Sequence, residues 1–161
     1  MATAADLTLS TVGTVCMATH RIGDLQEMMT SGWGGVNGNN QQSTFLKHVR
    51  NNSDQVAITS LKRFLSTFPS PQATVHTQAR INCNFAPWSV VCTRYGNGRT
   101  CSGDSGGPLV QDKDTDGRWV LYGVLSFGAI PCNQNDKSAF NGYIDVSHNY
   151  ERLIRLVRNN P

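Results

Sequence analysis

Nowhere in these 161 residues does an apolar run approach the roughly 18 residues of a membrane-spanning helix, so no such span is expected. The opening stretch, Met1 to Val15, lacks the basic start and unbroken apolar segment of a secretory signal, so it shows no route of export. Lys and Arg are scattered, with neither a run nor a basic-aromatic stripe, and the formal charge is only +3. Such a balance describes a solvated surface and gives nucleic-acid binding little support. Paired CxxC spacings are absent, which argues against a zinc site or a dithiol redox motif, and no metal or other cofactor is expected. No internal repeat or linker divides the chain.

What is present is a globular, loop-rich composition: 39% hydrophobic residues, 15 glycines and modest charge. The length suits one domain with a real core. Five cysteines, Cys16, Cys83, Cys92, Cys101 and Cys132, suggest an oxidising compartment. Asn51-Asn52-Ser53 fits a glycosylation acceptor, a triplet that also arises often by chance. Short apolar runs between Gly, Asn, Ser and Pro clusters read as antiparallel strands. Examples are Val56 to Ile58, Ala73 to His76, Gly107 to Gln111, Trp119 to Phe127 and Asn141 to Val146. Gly32 to Gln42 reads as an exposed loop, and Asp112 to Gly117 as a tight turn between strands. Only the end is helical in pattern: Tyr150, Leu153, Ile154 and Val157 recur at three- and four-residue spacing, with Ser147 as the expected N-cap.

The sharpest local feature is Cys101-Ser102-Gly103-Asp104-Ser105-Gly106-Gly107-Pro108-Leu109. A hydroxyl nucleophile must sit on a tight turn with its oxygen exposed and backbone N–H groups converging on the developing oxyanion. Flanking glycines supply the φ freedom and the close approach. Ser105 is the candidate nucleophile, with the amides of Gly103 and Ser105 as oxyanion donors. The competing reading is a glycine-rich turn around a buried Asp104.

This segment resembles the chymotrypsin-like (trypsin-fold) serine proteases. The likeness extends through Ser31-Gly32-Trp33-Gly34, Ser126-Phe127-Gly128 and Asn141-Gly142-Tyr143, over about Val12 to Val157. It implies an all-β fold: an antiparallel Greek-key β-barrel, the second barrel of a trypsin-like domain, closed by a C-terminal α-helix. The whole of residues 1–161 is then one partial peptidase domain, with the barrel over about 28–147, the helix over about 148–158 and the first barrel largely absent. The resemblance pairs Cys101 with Cys132 and Cys83 with Cys92 and leaves Cys16 over, either for an upstream segment or as a buried thiol. Where the family commonly has a further disulfide, this chain has Met28 and Gln111.

The resemblance also places Arg99 and Thr100 at the base of the primary specificity pocket, with Asn141 contributing. An inward guanidinium would favour acidic substrate side chains, whereas an outward one would leave the preference open. Ser126, Phe127 and Gly128 are expected to form an edge for an extended peptide. The activating base is another matter. A serine hydroxyl needs one, and the family's Ala-Ala-His-Cys setting does not occur here; His20, His48, His76 and His148 lie in other contexts. Asp6, in Asp6-Leu7-Thr8-Leu9, resembles the orienting aspartate, against the alternative of an exposed acid near the terminus. Asp104 is the acid that in relatives meets a freed amino terminus, a partner not seen here.

The expected function is therefore peptide-bond hydrolysis through an acyl-enzyme at Ser105, with this chain alone lacking the histidine. A non-catalytic homologue that binds protein is the alternative. The expected partners are a protein or peptide substrate and an N-terminal protease segment or chain, not nucleic acid or membrane, and the expected location is extracellular.

Overall fold

The computed structural model describes residues 8, 13–24, 26–36, 41–42, 47–49, 73–77, 83, 87–95, 100–112, 118–128, 132 and 139–159. Asp6, Arg99, the Asn51 triplet and the Val56 to Ile58 run lie outside them. Ten strands are assigned among these residues. They are β1 (Cys16–Met17), β2 (Glu27–Gly32), β3 (Gly35–Val36), β4 (Gln41–Gln42) and β5 (Lys47–Val49), followed by β6 (Ala73–Thr77), β7 (Val90–Tyr95), β8 (Pro108–Asp112), β9 (Trp119–Gly128) and β10 (Phe140–Asp145). One helix, α1 (Tyr150–Asn159), follows. No helix of the described residues is long and apolar enough to cross a membrane.

The pairings close on themselves. From β9 the antiparallel ladder runs to β10, β7, β6 and β2, and β8 then joins β2 back to β9. Six strands thus form a ring in which β8, β9 and β10 return beside β7 out of chain order. This is the Greek-key barrel that the resemblance implied. β1 adds to β9 in parallel, β5 adds to β2, and β3 and β4 form a separate small hairpin.

Strand alternation explains the core. On β7, Val91 points into the main cluster with Ala18, Met28, Leu109, Tyr122, Leu125 and Tyr143. Its neighbours Val90 and Cys92 point the other way, onto Cys83 and Phe140. Five ring strands each send at least one side chain to the main cluster, so the barrel is filled rather than hollow. A fully buried side chain such as Leu109 contributes about 1.5–3 kcal/mol by leaving water. Met28 sits in this core, and the Gln111 carboxamide donates to the Glu27 carbonyl at 3.4 Å. The pair expected in place of a disulfide therefore lies across neighbouring strands, packed by one member and bonded by the other.

The segment around β1 is tied down by Arg21. Its guanidinium donates to the Trp88 and Val90 carbonyls, both at 3.1 Å, and lies 3.8 Å from the buried carboxylate of Asp145. The other oxygen of Asp145 accepts from the Ser147 hydroxyl at 2.6 Å and the His148 amide at 3.1 Å. This corrects the expected helix start. Ser147 spends its hydroxyl on Asp145, and the first helical bond runs from the Leu153 amide to the Asn149 carbonyl, which makes Asn149 the cap. The glycine-rich stretch after Trp33 also differs from an exposed loop: Gly34 and Gly35 are buried and lead into the β3–β4 hairpin.

Candidate active site

Residues Cys101 to Gly107 form two consecutive turns between the disulfide and β8. The Asp104 amide donates to the Cys101 carbonyl at 3.0 Å, and the Gly107 amide to the Asp104 carbonyl at 2.9 Å. Gly103 and Gly106 take φ values of 95° and 84°, a region that side chains with a Cβ rarely adopt. Glycine at these two positions lets the chain reverse twice within five residues. Ser105 is left exposed at the apex.

Three sets of bonds hold this apex. The Gly106 amide donates to Leu125 and the Leu125 amide to Gly107, at 2.9 and 2.8 Å, which locks the turn to β9. The Gly35 amide donates to Ser102 at 2.8 Å and joins it to the β3 hairpin. Finally, the Asp104 carboxylate accepts from the Gly34 amide at 2.6 Å through Oδ1 and from the Cys101 amide at 2.8 Å through Oδ2. The structure gives the Asp104 carboxylate two backbone donors. The carboxylate fills the space a side chain at position 34 would need, since a Cβ there would lie 2.6 Å from Oδ1. That contact accounts for glycine after Trp33. Among the described residues, neither turn uses the amides of Gly103 and Ser105 as donors.

Beside Ser105 opens a cavity of about 220 Å³, whose walls include Thr100, Leu125, Ser126, Phe127 and Gly128. One edge is fixed by the Cys101–Cys132 disulfide, with the Cα atoms 5.4 Å apart. The opposite wall is the exposed end of β9, where Ser126, Phe127 and Gly128 follow buried Leu125. The Phe127 ring lies over Gly142, so a Cβ at 142 would meet ring carbon Cε2 at 2.6 Å. Asn141 pairs with Gly128 in the ladder and is 1% exposed. The structure thus gathers Ser105, Thr100, Ser126, Phe127 and Gly128 around one hollow, with Asn141 buried next to Gly128 rather than lining it and Arg99 outside the described residues.

Among the described side chains no histidine joins that gathering. His20 lines a different groove, with Cys16, Met17 and Gln111, and meets the Tyr122 ring edge-on at 6.1 Å. His148 is exposed after β10, and only the backbone of His48 and His76 is described, on β5 and β6. No described histidine side chain lines the Ser105 cavity. Cys16 is half-buried beside His20, while Cys83 and Cys92 share one buried cluster.

Inside the barrel lie three buried hydroxyls, those of Thr30, Thr93 and Tyr143. Burial pushes the Tyr143 phenol well above its ordinary value, and the Asp104 charge acts in the same direction. The two threonine oxygens stand beside it and pull slightly the other way, but none completes a hydrogen bond. Neither this group nor the Arg21–Asp145 pair stood out in the sequence, because each depends on contacts between distant strands.

A closed Greek-key barrel thus carries an exposed serine on a doubly turned loop. The chain belongs to the trypsin family, whose model matches residues 4–154. It is 41% identical over 63 residues to clotting factor C of Tachypleus tridentatus, covering 37% of this chain and 6% of that protein. To spermosin of Halocynthia roretzi it is 40% identical over 62 residues, 38% of this chain and 15% of the relative. Transmembrane protease serine 11G of Rattus norvegicus aligns over 150 residues at 27% identity, 91% of this chain and 31% of the relative. The chain therefore spans less than a third of the length of each of these relatives.

Proposed function

We propose that this chain carries the nucleophile half of a serine-type endopeptidase acting on protein or peptide substrates outside the cell. The observation that carries the reading is the Ser105 turn: an exposed hydroxyl, braced by Asp104 and β9, beside two amides that donate to no other backbone group among the described residues. In this scheme Ser105 Oγ attacks the scissile carbonyl carbon, and its proton passes to a base. The amides of Gly103 and Ser105 donate to the oxyanion. Collapse breaks the C–N bond, and the base returns the proton to the departing amine. Water then attacks the acyl-serine ester in the same manner, releasing the acid and restoring Ser105.

Substrate lies extended along the exposed edge Ser126 to Gly128, with one side chain in the cavity lined by Thr100 and Gly128. The base is a histidine supplied with the first barrel, from a preceding segment or a partner chain, and Asp6 is the candidate for its orienting carboxylate. Without that half, Ser105 reacts slowly. The test is labelling with a fluorophosphonate, followed by mass-spectrometric mapping, in wild type and Ser105→Ala. Adduct on Ser105 supports the reading; adduct elsewhere, or equal labelling of the variant, defeats it. Absence of any adduct even with a supplied base leaves a protein-binding homologue as the better description.

A further inference from the structure

In the sequence Arg152, Arg155 and Arg158 are each separated by two residues and form no run. The helix changes that. At 3.6 residues per turn, each stands about 4.5 Å further along the axis of α1 than the last and about 60° back around it. The three guanidinium groups therefore share one side of the helix, in a row about 9 Å long. Three of the chain's 14 basic residues and one of its 11 acidic ones, Glu151, fall within these ten positions, so positive charge is concentrated on α1 and nearly balanced elsewhere.

All three arginines are exposed. Among the described residues the ion pair that forms is Arg21 with Asp145, and none of the three has a bonded partner of its own. Each presents five N–H donors in a planar fork to solvent. Glu151 lies on the same side and offsets part of the charge, and α1 holds no other acid.

We propose that this face of α1 is a docking surface for a sulfated polysaccharide, independently of whether Ser105 is activated. The guanidinium fork matches the oxygens of an ionised sulfate ester. A row of three suits a linear polymer that carries sulfates in series, and each contact releases a counterion from it. Two other polyanions fit less well. An anionic bilayer needs apolar side chains that insert beside the basic ones. Most of the apolar side of α1, namely Tyr150, Leu153 and Ile154, is already half-buried by the domain. Single-stranded nucleic acid is held on aromatic platforms, and the one aromatic residue of α1, Tyr150, lies on the other side of the helix from Arg155.

The test is fluorescence anisotropy of a labelled heparin-type octasaccharide titrated with the full chain at rising NaCl concentration. Between roughly 50 and 200 mM salt the affinity should fall about 15- to 40-fold, the change for three contacts at the slope of about 0.7–0.9 per contact known for nucleic-acid polyanions. Arg152→Gln, Arg155→Gln and Arg158→Gln, which keep helix propensity, should each lower that log–log slope by about one third. Arg118→Gln removes an exposed charge just before β9 and should leave the slope unchanged. The same octasaccharide stripped of its sulfates should not bind at the lowest salt.

No binding of the sulfated probe at the lowest salt overturns the proposal, as does equal binding of the stripped one. A loss from Arg118→Gln as large as from an α1 variant overturns it too. Tighter binding of phosphatidylserine vesicles, or of a DNA duplex, would assign the face to a bilayer or to nucleic acid instead. Circular dichroism checks that each variant keeps α1; should one lose it, the wild-type salt slope and the stripped probe decide alone.

Discussion

Replacing Asp104 with asparagine changes one heavy atom, an oxygen to a nitrogen, and almost nothing in shape, so its effect isolates the carboxylate. In the native protein both oxygens accept, one from Gly34 at 2.6 Å and one from Cys101 at 2.8 Å. The asparagine side chain keeps one oxygen and turns an NH2 toward the second donor, which loses a bond and sets two donors face to face. A hydrogen bond to a charged group is worth about 1.5–3 kcal/mol, so the variant should lose about 2–3 kcal/mol. For a domain of this size that is a fall of about 5–10 °C in Tm, readable by calorimetry.

Gly34→Ala should cost a similar amount, because its Cβ would displace the same carboxylate. In Asp104→Ala, where the carboxylate is gone, adding Gly34→Ala should cost under about 0.5 kcal/mol, a coupling that a double-mutant cycle measures directly. Additive losses, or an Asp104→Asn Tm within about 1 °C of wild type, would show that the carboxylate does not hold the Ser105 turn.

Other consequences follow from single groups. Because burial raises the Tyr143 phenol, the unfolded chain ionises near its ordinary value while the folded chain stays protonated. Stability is then unaffected below about pH 9 and falls above about pH 10 by up to about 1.4 kcal/mol per pH unit. Urea unfolding across that range should show the fall in wild type and a shallower one in Tyr143→Phe; identical curves would refute it. Opening the Cys101–Cys132 bridge, whose sequence separation is 31, by paired serine substitution should cost about 3–4 kcal/mol on the loop-entropy model. It should also weaken peptide binding in the cavity, which equilibrium unfolding and an NMR titration with peptide read together.

The Ser105 turn was legible from residues alone because its geometry is local: glycine on both sides of Ser105 permits the φ values that the structure adopts. Strands such as β6, β8, β9 and β10 were marked by apolar runs between turn residues, each within one or two positions of its end. Less was visible where partners come from afar. Asp104 is satisfied by Gly34, seventy residues away, and no local pattern announces that contact. Ser147 carried every local mark of a helix cap, yet Asp145, buried on β10, claimed its hydroxyl. The orphaned oxygen of Asn141 likewise exists only because β10 lies against Gly128.

The most direct test of the account is the rate at which fluorophosphonate modifies Ser105 in the full chain as imidazole is added as an external base. The account predicts slow labelling alone, a rise with imidazole concentration that follows its neutral form, and no adduct in Ser105→Ala. A rate that imidazole leaves at zero, or an adduct that persists without Ser105, would contradict the claim that this turn holds a serine ready for activation.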